Sequence, residues 1–403
     1  MSKKIPIVEF VAMLAMLFAL VAFSTDAMLP AFPAITNDLL PDRPTSIHIV
    51  ISAFIFGLGI GTFFAGPIAD AIGRKSVVFW GVGIFVVGSL ISWAAQSFEM
   101  MLVGRVLQGL GAAGPRIGPL ALMRDLYEGR RMAQLSSIIM AVFMLFPAVA
   151  PFVGQQIITF FDWRAIFLSF ALFSIVSSAW LWIRQPETLD PADRRPLRIA
   201  PLADAAVQVM TNKMVLFYIA ALTLGFTELL AIISNIQQVY DQTFGITDRF
   251  PLWFAGGAVI ASIGTISNAT LVMRLGMRRL ALLAFAIKIA ITFAAVILYR
   301  FELVPTEALF YLWFFWATSV FFMMGLIFGN LNALALQPLG HIAGTAASLI
   351  TGISTVGAAM LIIPVGLLFD GTPVPLMINN LIAASLAYLV MRRTRDEPAS
   401  AYA

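Results

Sequence analysis

The chain has 403 residues, of which 60% are hydrophobic and 11% are charged. A soluble domain carries about 25% charged residues, so this composition excludes an ordinary soluble enzyme and indicates an integral membrane protein. The net charge of +4 is attributed to basic residues at membrane ends rather than to a nucleic-acid partner, and the absence of cysteine excludes disulfides and thiol chemistry.

The long continuous apolar runs predict helices, because the strands of membrane β-barrels alternate polar and apolar residues. Twelve runs are long enough to cross a bilayer: 7–29, 46–66, 77–96, 100–122, 134–158, 164–184, 213–235, 251–273, 280–299, 307–330, 343–369 and 374–391. The predicted fold class is therefore an all-α membrane protein with twelve transmembrane helices. The basic start, 1–6, leads into the first run with no small-residue cleavage site, so we expect a retained helix rather than a signal peptide.

The basic residues between these runs are distributed asymmetrically. One set is Lys3, Lys4, Arg74, Lys75, Arg124, Arg130, Arg131, Arg194, Arg195, Arg198, Arg274, Arg278, Arg279, Arg392, Arg393 and Arg395, and the opposite set is only Arg43, Arg164, Arg249 and Arg300. This bias places both termini and the proline-rich segment 185–212 in the cytoplasm. The segment predicts a linker between two six-helix bundles, 1–184 and 213–403.

A short charged turn follows the second predicted helix. Residues 66–75 read GPIADAIGRK, which resembles the loop between helices 2 and 3 of the major facilitator superfamily. Asp70, Gly73, Arg74 and Lys75 match that motif, whereas Ala71 stands where the family usually has a basic residue. The resemblance implies a cytoplasmic gate built from Gly66, Asp70, Gly73, Arg74 and Arg124.

The turn is echoed in the second half of the chain. Residues 273–279 read MRLGMRR, with Met273 in place of the acid. An internal repeat with a cytoplasmic linker is typical of a transporter whose substrate site lies near the middle of the membrane.

Ionisable residues inside predicted helices are costly and therefore indicate function. Asp26 lies in the outer half of the first helix, where its carboxyl group could take up a proton outside and release it inside. Residues 105–109, RVLQG, resemble the R-x-x-Q-G motif of helix 4 in the same superfamily, which implicates Arg105 in proton coupling. Asp26 could instead be a structural cap, and Arg105 could pair with Asp26 or bind backbone carbonyls.

Three further residues share the helix face of Arg105. Gln108, Ala112 and Arg116 follow it at steps of three and four residues. The planar guanidinium of Arg116 suits an anionic or carbonyl-bearing substrate, although it could instead pair with an acid of the protein. Gln108 and Arg116 are therefore predicted to bind substrate.

The seventh and ninth predicted helices also contain charges. Glu228 lies about fifteen residues into the seventh helix, and Asn235 and Gln238 follow on the same side. This polar stripe predicts a cavity-facing surface, with Glu228 as a second proton site or a cation-binding acid and Asn235 as a substrate contact. Lys288 could reach the membrane surface, pair with an acid or bind substrate.

The tenth predicted helix is rich in aromatic residues. Tyr311 and Phe315 are predicted to bind substrate through apolar and cation–π contacts. The alternative for half of the aromatic rings in this helix is that they face the lipid and do not contact substrate.

Four segments narrow the resemblance to one branch. Residues 26–33, 122–127, 163–167 and 343–348 resemble the ends of helices 1 and 4 and the starts of helices 6 and 11 in the bicyclomycin/chloramphenicol resistance branch of drug:proton antiporters. The branch implies a major facilitator fold and proton-coupled transport. Arg116 and Glu228 depart from the branch pattern and favour a charged or zwitterionic ligand.

We therefore expect a monomeric, non-enzymatic transporter of the bacterial inner membrane that exports a drug or small metabolite by proton antiport. Its expected partners are protons, the lipid bilayer and a small molecule, with no cofactor, metal or nucleic acid. One alternative is a proton-coupled importer of an anionic siderophore or metabolite. The other is a membrane sensor or scaffold that transports nothing.

Overall fold

The computed structural model describes residues 5–127, 129–143, 145–194, 197 and 199–394. These described residues form helices and turns without a strand. The helices are α1 (Ile7–Asp26), α2 (Phe32–Leu39), α3 (Ile49–Ile72), α4 (Arg74–Trp93), α5 (Phe98–Leu126), α6 (Gly129–Phe143), α7 (Leu145–Phe160), α8 (Arg164–Arg184), α9 (Ile199–Thr211), α10 (Lys213–Gln238), α11 (Phe250–Leu275), α12 (Met277–Arg300), α13 (Thr306–Leu336), α14 (Ala343–Leu367) and α15 (Val374–Arg392).

The helices confirm the predicted all-helical membrane architecture. Among the described residues, nine helical stretches are long and apolar enough to cross a membrane, and one of these stretches contains both α13 and α14. The fifth predicted span is covered by α6 and α7, on either side of residue 144. Of the basic residues used to predict orientation, Lys3, Lys4, Arg195, Arg198 and Arg395 lie outside the described residues.

The first helix ends earlier than predicted. A short 3-10 turn over Leu29–Ala31 separates α1 from α2, because Pro30 and Pro33 cannot donate the backbone hydrogen bonds that a continuous helix needs. Asp26 is consequently the last residue of α1. On α7, a Cβ atom added at Gly154 would overlap the carbonyl oxygen of Ala27, so α7 packs tightly against this break.

The chain divides into two compact units, unit 1 (Met1–Ile199) and unit 2 (Ala200–Ala403). The second part of the predicted linker 185–212 contains α9, which opens unit 2.

In unit 1, α5 packs against α3 and α4 at backbone distance. A Cβ atom at Gly109 would overlap the carbonyl oxygen of Phe54 on α3, and one at Gly111 would overlap the backbone nitrogen of Phe85 on α4. Small residues at such positions allow helix backbones to approach closely in a membrane. This packing fixes the depth and rotation of α5 and hence the position of its two arginines.

In unit 2, α10 packs against α13, α14 and α15, while α12 packs against α13 and α15. Trp313 and Trp316 of α13 lie in the interior of the unit. The indole Nε1 of Trp316 donates to Thr292 Oγ1 of α12 over 3.1 Å. These contacts orient α12 so that Lys288, one turn before Thr292, also faces the interior.

Candidate functional site

The guanidinium of Arg105 is held by neutral oxygens from three helices. The residue is completely buried. It donates from Nη2 to the Ser24 carbonyl of α1 over 3.1 Å and from Nε to the Val50 carbonyl of α3 over 3.2 Å. Its Nη1 donates to Gln108 Oε1 on its own helix over 2.9 Å. Arg105 therefore ties α1 and α3 to α5.

Further contacts complete the surroundings of this arginine. The Gln108 amide donates from Nε2 to Ser89 Oγ of α4 over 2.7 Å. The guanidinium carbon lies 4.5 Å from the ring centroid of Phe54. The sequence left two arrangements open for Arg105, an ion pair with Asp26 and hydrogen bonds to backbone carbonyls. The structure contains the hydrogen bonds to backbone carbonyls.

Asp26 lies two residues after the carbonyl that Arg105 binds. Its side chain is buried, with 5% exposed, and its Oδ1 accepts a hydrogen bond from Thr25 Oγ1 over 2.9 Å. Arg105 thus contacts the backbone beside Asp26 and, among the contacts of the described residues, forms no ion pair with its carboxylate. The structure brings the two residues together through α1 rather than through their charges.

Arg116 lies on α5 three turns beyond Arg105 and differs from it. Its side chain is partly exposed, and no hydrogen bond or ion pair joins it to another described residue. Arg105 and Gln108 of the predicted polar face are hydrogen-bonded to each other. Arg116 of the same face has no hydrogen bond to a described residue.

In unit 2, Glu228 of α10 and Lys288 of α12 form an ion pair between two completely buried side chains. Both residues were predicted as charges inside helices, but their pairing with each other was not predicted. Their depths in the membrane are compatible with such a pair. The two helices are predicted to start from the same side of the membrane, and the residues lie about 22 Å and about 16 Å from their helix starts, within reach of two long side chains.

The remaining predicted substrate contacts in unit 2 differ in burial. Asn235 is buried, and its Nδ2 donates to the Ala231 carbonyl over 2.9 Å. Tyr311 and Phe315 are 52% and 62% exposed, whereas Glu228 is completely buried. Glu228 and Asn235 thus lie in the interior of unit 2, whereas Tyr311 and Phe315 lie at its surface.

The predicted gate forms a charge cluster at the turn between α3 and α4. Gly73 has a φ of 109°, which a glycine adopts without strain. Arg74 donates to Asp70 and, from Nε, to Asp125 Oδ2 over 3.0 Å. Gly66 lies half-buried within α3, and Arg124 is exposed, so its neighbour Asp125 supplies the α5 contact.

Glu187, which follows α8, completes this cluster and was missed by the sequence analysis. Its two carboxylate oxygens accept the backbone N–H groups of Arg74 and Lys75, each over 3.0 Å. A carboxylate at a helix N-terminus satisfies unpaired N–H groups and complements the helix dipole. Glu187 directly follows Pro186 at the end of a predicted helix, and this position on the same side of the membrane as the charged turn could have indicated the contact.

Comparisons with known proteins agree with this architecture. The family model described as Major Facilitator Superfamily matches residues 14–369. A bicyclomycin resistance protein homolog of Haemophilus influenzae is 30% identical over 358 residues, which are 87% of each chain. The multidrug resistance protein MdtL of Salmonella dublin is 28% identical over 226 residues, 55% of each chain.

Solved structures show the same fold at low sequence identity. The D-xylose-proton symporter superposes with a TM-score of 0.74 at 13% identity, covering 96% of this chain and 97% of the symporter. The human organic anion transporter MFSD10 superposes with a TM-score of 0.63 at 15% identity, covering 96% of this chain and all of that chain. With a matching family model over most of its length, this multi-pass membrane protein is a transporter of the major facilitator superfamily, related to the bicyclomycin resistance proteins.

Proposed function

We propose that the chain is a proton antiporter that exports a drug or small metabolite by alternating access. The single observation that carries the proposal is Asp26, a buried carboxyl group at the break between α1 and α2. An acid in the interior of a membrane protein is costly to keep charged and marks a proton path by default. The names of the bicyclomycin and multidrug resistance relatives support the direction of export.

In this proposal Asp26 takes up a proton on the outer side and releases it on the inner side. Arg105 is a positioning residue, because it binds the Ser24 carbonyl and so ties the backbone beside Asp26 to α5. A proton and a substrate that favour different conformations are coupled through the conformational equilibrium, without touching each other.

The other predicted residues have subordinate parts in the proposal. Glu228 is a second proton-coupling group, whose charge Lys288 balances. Gln108, Arg116, Asn235, Tyr311 and Phe315 are proposed substrate contacts. Gly66, Asp70, Gly73, Arg74 and Arg124 are proposed to gate the cytoplasmic side.

We further propose that the protein works as a monomer in the bacterial inner membrane, with both termini in the cytoplasm. The distribution of basic residues between the predicted helices supports this orientation.

The proposal is tested by proton flux in everted membrane vesicles. The vesicles are energised, internal pH is followed with a quenched dye, and chloramphenicol, tetraphenylphosphonium and 1-naphthoate are added in turn. We expect dequenching with at least one compound and its loss in Asp26→Asn. The matched control is Asp42→Asn, because Asp42 lies exposed in the loop after α2. Uphill proton-driven transport by Asp26→Asn would contradict the proposal.

A second candidate function is proton-coupled import of an organic anion. The observation that favours it is Arg116, a cation on α5 without a partner among the described residues. Uptake of radiolabelled anion by whole cells, combined with silence in everted vesicles, would support import over export.

A further inference from the structure

The two arginines of α5 differ in their hydrogen-bond partners. Arg105 donates three hydrogen bonds to described residues and is completely buried. Arg116 donates none to a described residue and is partly exposed. A guanidinium has five N–H donors, and leaving them unbonded in a membrane interior is costly. Arg116 therefore requires water or an anion that is not supplied by the described residues.

Arg116 lies inside the predicted fourth span, 100–122, rather than at its end. It is 18 residues after Phe98, the first residue of α5, and 6 residues before residue 122, where the predicted span ends. These separations correspond to about 27 Å and about 9 Å along the helix axis.

The packing of α5 turns Arg116 away from α4. Gly114 and Gly118, two residues to either side of it, lie against the Val77 carbonyl and the Val78 side chain of α4. A step of two residues rotates a helix by about 200°, so the Arg116 side chain leaves the helix on the side away from that contact. The Arg116 side chain is partly exposed.

Four acids of unit 1 pair with arginines other than Arg116. Glu9 pairs with Arg184, Asp38 with Arg164, and Asp70 and Asp125 with Arg74. Asp26 lies near the level of Arg105, which is about 16 Å from Arg116 along the helix. None of the salt bridges among the described residues of unit 1 includes Arg116.

We propose that Arg116 binds the carboxylate of the transported molecule, so that the substrate class is an organic carboxylate, either anionic or zwitterionic. A guanidinium pairs with a carboxylate through two parallel hydrogen bonds, which fixes the orientation of the ligand as well as its charge. The inference rests on the proposed transport function and adds a substrate class to it.

The test compares two probes of nearly equal shape, 1-naphthoate, which is negatively charged, and 1-naphthamide, which is neutral and has an NH2 group in place of one carboxylate oxygen. Their binding to the purified full-length protein is measured by tryptophan fluorescence and by the shift in thermal unfolding temperature. We expect the wild-type protein to bind 1-naphthoate more tightly than 1-naphthamide. Arg116→Gln should weaken 1-naphthoate binding about ten- to a hundredfold, as expected for a charged hydrogen bond, and leave 1-naphthamide binding unchanged. Arg116→Lys should retain part of the affinity.

Because the chain contains no cysteine, Arg116→Cys provides a charge-specific rescue. Reaction with aminoethyl methanethiosulfonate places an ammonium group at position 116, and reaction with sulfonatoethyl methanethiosulfonate places a sulfonate there. We expect the first reagent to restore 1-naphthoate binding and the second to abolish what remains. A merely structural role of Arg116 would not depend on the sign of the added charge.

Three results would overturn the inference. They are equal binding of 1-naphthoate by wild-type protein and Arg116→Gln, no preference of the wild-type protein for the carboxylate, and no reaction of Arg116→Cys with either reagent in membranes. These results are separable from failure of the antiport proposal, which is judged by the Asp26→Asn flux. Antiport of 1-naphthamide but not of 1-naphthoate would support the antiport proposal and contradict the carboxylate substrate class. Binding of 1-naphthoate that depends on Arg116, without proton flux, would support the substrate class and contradict antiport.

Discussion

Units 1 and 2 keep a buried charge by different means. In unit 1 the guanidinium of Arg105 is surrounded by neutral oxygens and retains its net charge. In unit 2 the charges of Glu228 and Lys288 cancel within one ion pair. A charge held by several neutral partners survives the loss of one of them, whereas an ion pair that loses one member leaves the other uncompensated. The two units should therefore respond differently to single substitutions.

The largest effect is expected from breaking the pair in unit 2. Lys288→Met leaves the Glu228 carboxylate unpaired in the interior, and loss of one partner of a buried pair costs about 3–5 kcal/mol. The measurement is the thermal unfolding temperature and the folded yield in detergent. Glu228→Gln combined with Lys288→Met should recover most of the loss, because no charge is then left behind. If Lys288→Met is as stable as the wild type, the pair has no role in keeping unit 2 folded.

A smaller effect is expected in unit 1 from Arg105→Lys. Lysine keeps the charge but cannot reach the Ser24 carbonyl, the Val50 carbonyl and Gln108 together, since its ammonium group is a single point. We expect a loss of about 2–3 kcal/mol in the free energy of unfolding, from one to two charged hydrogen bonds. Arg124→Lys, at the exposed end of the same helix, is the control and should change little. A loss as large as that of Lys288→Met would remove the distinction between the two units.

The two glycine turns sharpen the comparison further. Gly73 and Gly276 both have positive φ, 109° and 76°. A Cβ atom at Gly73 would press on Glu187, whereas one at Gly276 would meet nothing within 4 Å. We expect Gly73→Ala to cost about 2 kcal/mol and Gly276→Ala about 1 kcal/mol, since only the first adds a clash to the backbone strain. Equal unfolding temperatures for the two variants would refute this ranking.

The smallest effect is expected from Glu187→Gln. Glutamine retains one acceptor oxygen for the N-terminus of α4 but loses the negative charge, which costs about 0.3–1 kcal/mol at a helix end. The backbone N–H that loses its acceptor can bond water, because this helix end is partly exposed. The difference in unfolding temperature should shrink as salt is added, because salt screens a partly exposed charge. Glu302→Gln, in the exposed turn after α12, serves as the control. A difference that does not respond to salt would assign the effect of Glu187 to packing.

Much of the fold follows from local properties of the sequence. Runs of apolar residues and the proline and glycine positions determine where helices start and stop, and α8, α12 and α15 begin and end within a few residues of the predicted spans. The break after Asp26 was foreseeable from Pro30 and Pro33, because proline removes backbone donors irrespective of what packs around it.

The contacts of the candidate site were harder to predict from the sequence. Helix periodicity placed Arg105 and Gln108 on one face, but it could not show that the Ser24 and Val50 carbonyls, distant along the chain, would hold the arginine. The pairing of Glu228 with Lys288 likewise depends on which faces α10 and α12 turn toward each other. Glu187 was not predicted because it caps the N-terminus of a helix that is distant along the chain, and this contact exists only in the folded structure.

The close packing of α5 against α3 and α4 has a consequence for how motion in unit 1 can be observed. Helices whose backbones touch at glycines cannot slide past one another without overlap, so these three helices should behave as one rigid body. Spin labels on the lipid-facing sides of α3 and α5 would then keep a constant separation throughout the transport cycle and act as an internal ruler. Labels on α1 and α5 would report the movement instead, since the contact at Arg105 is made of hydrogen bonds that can be exchanged.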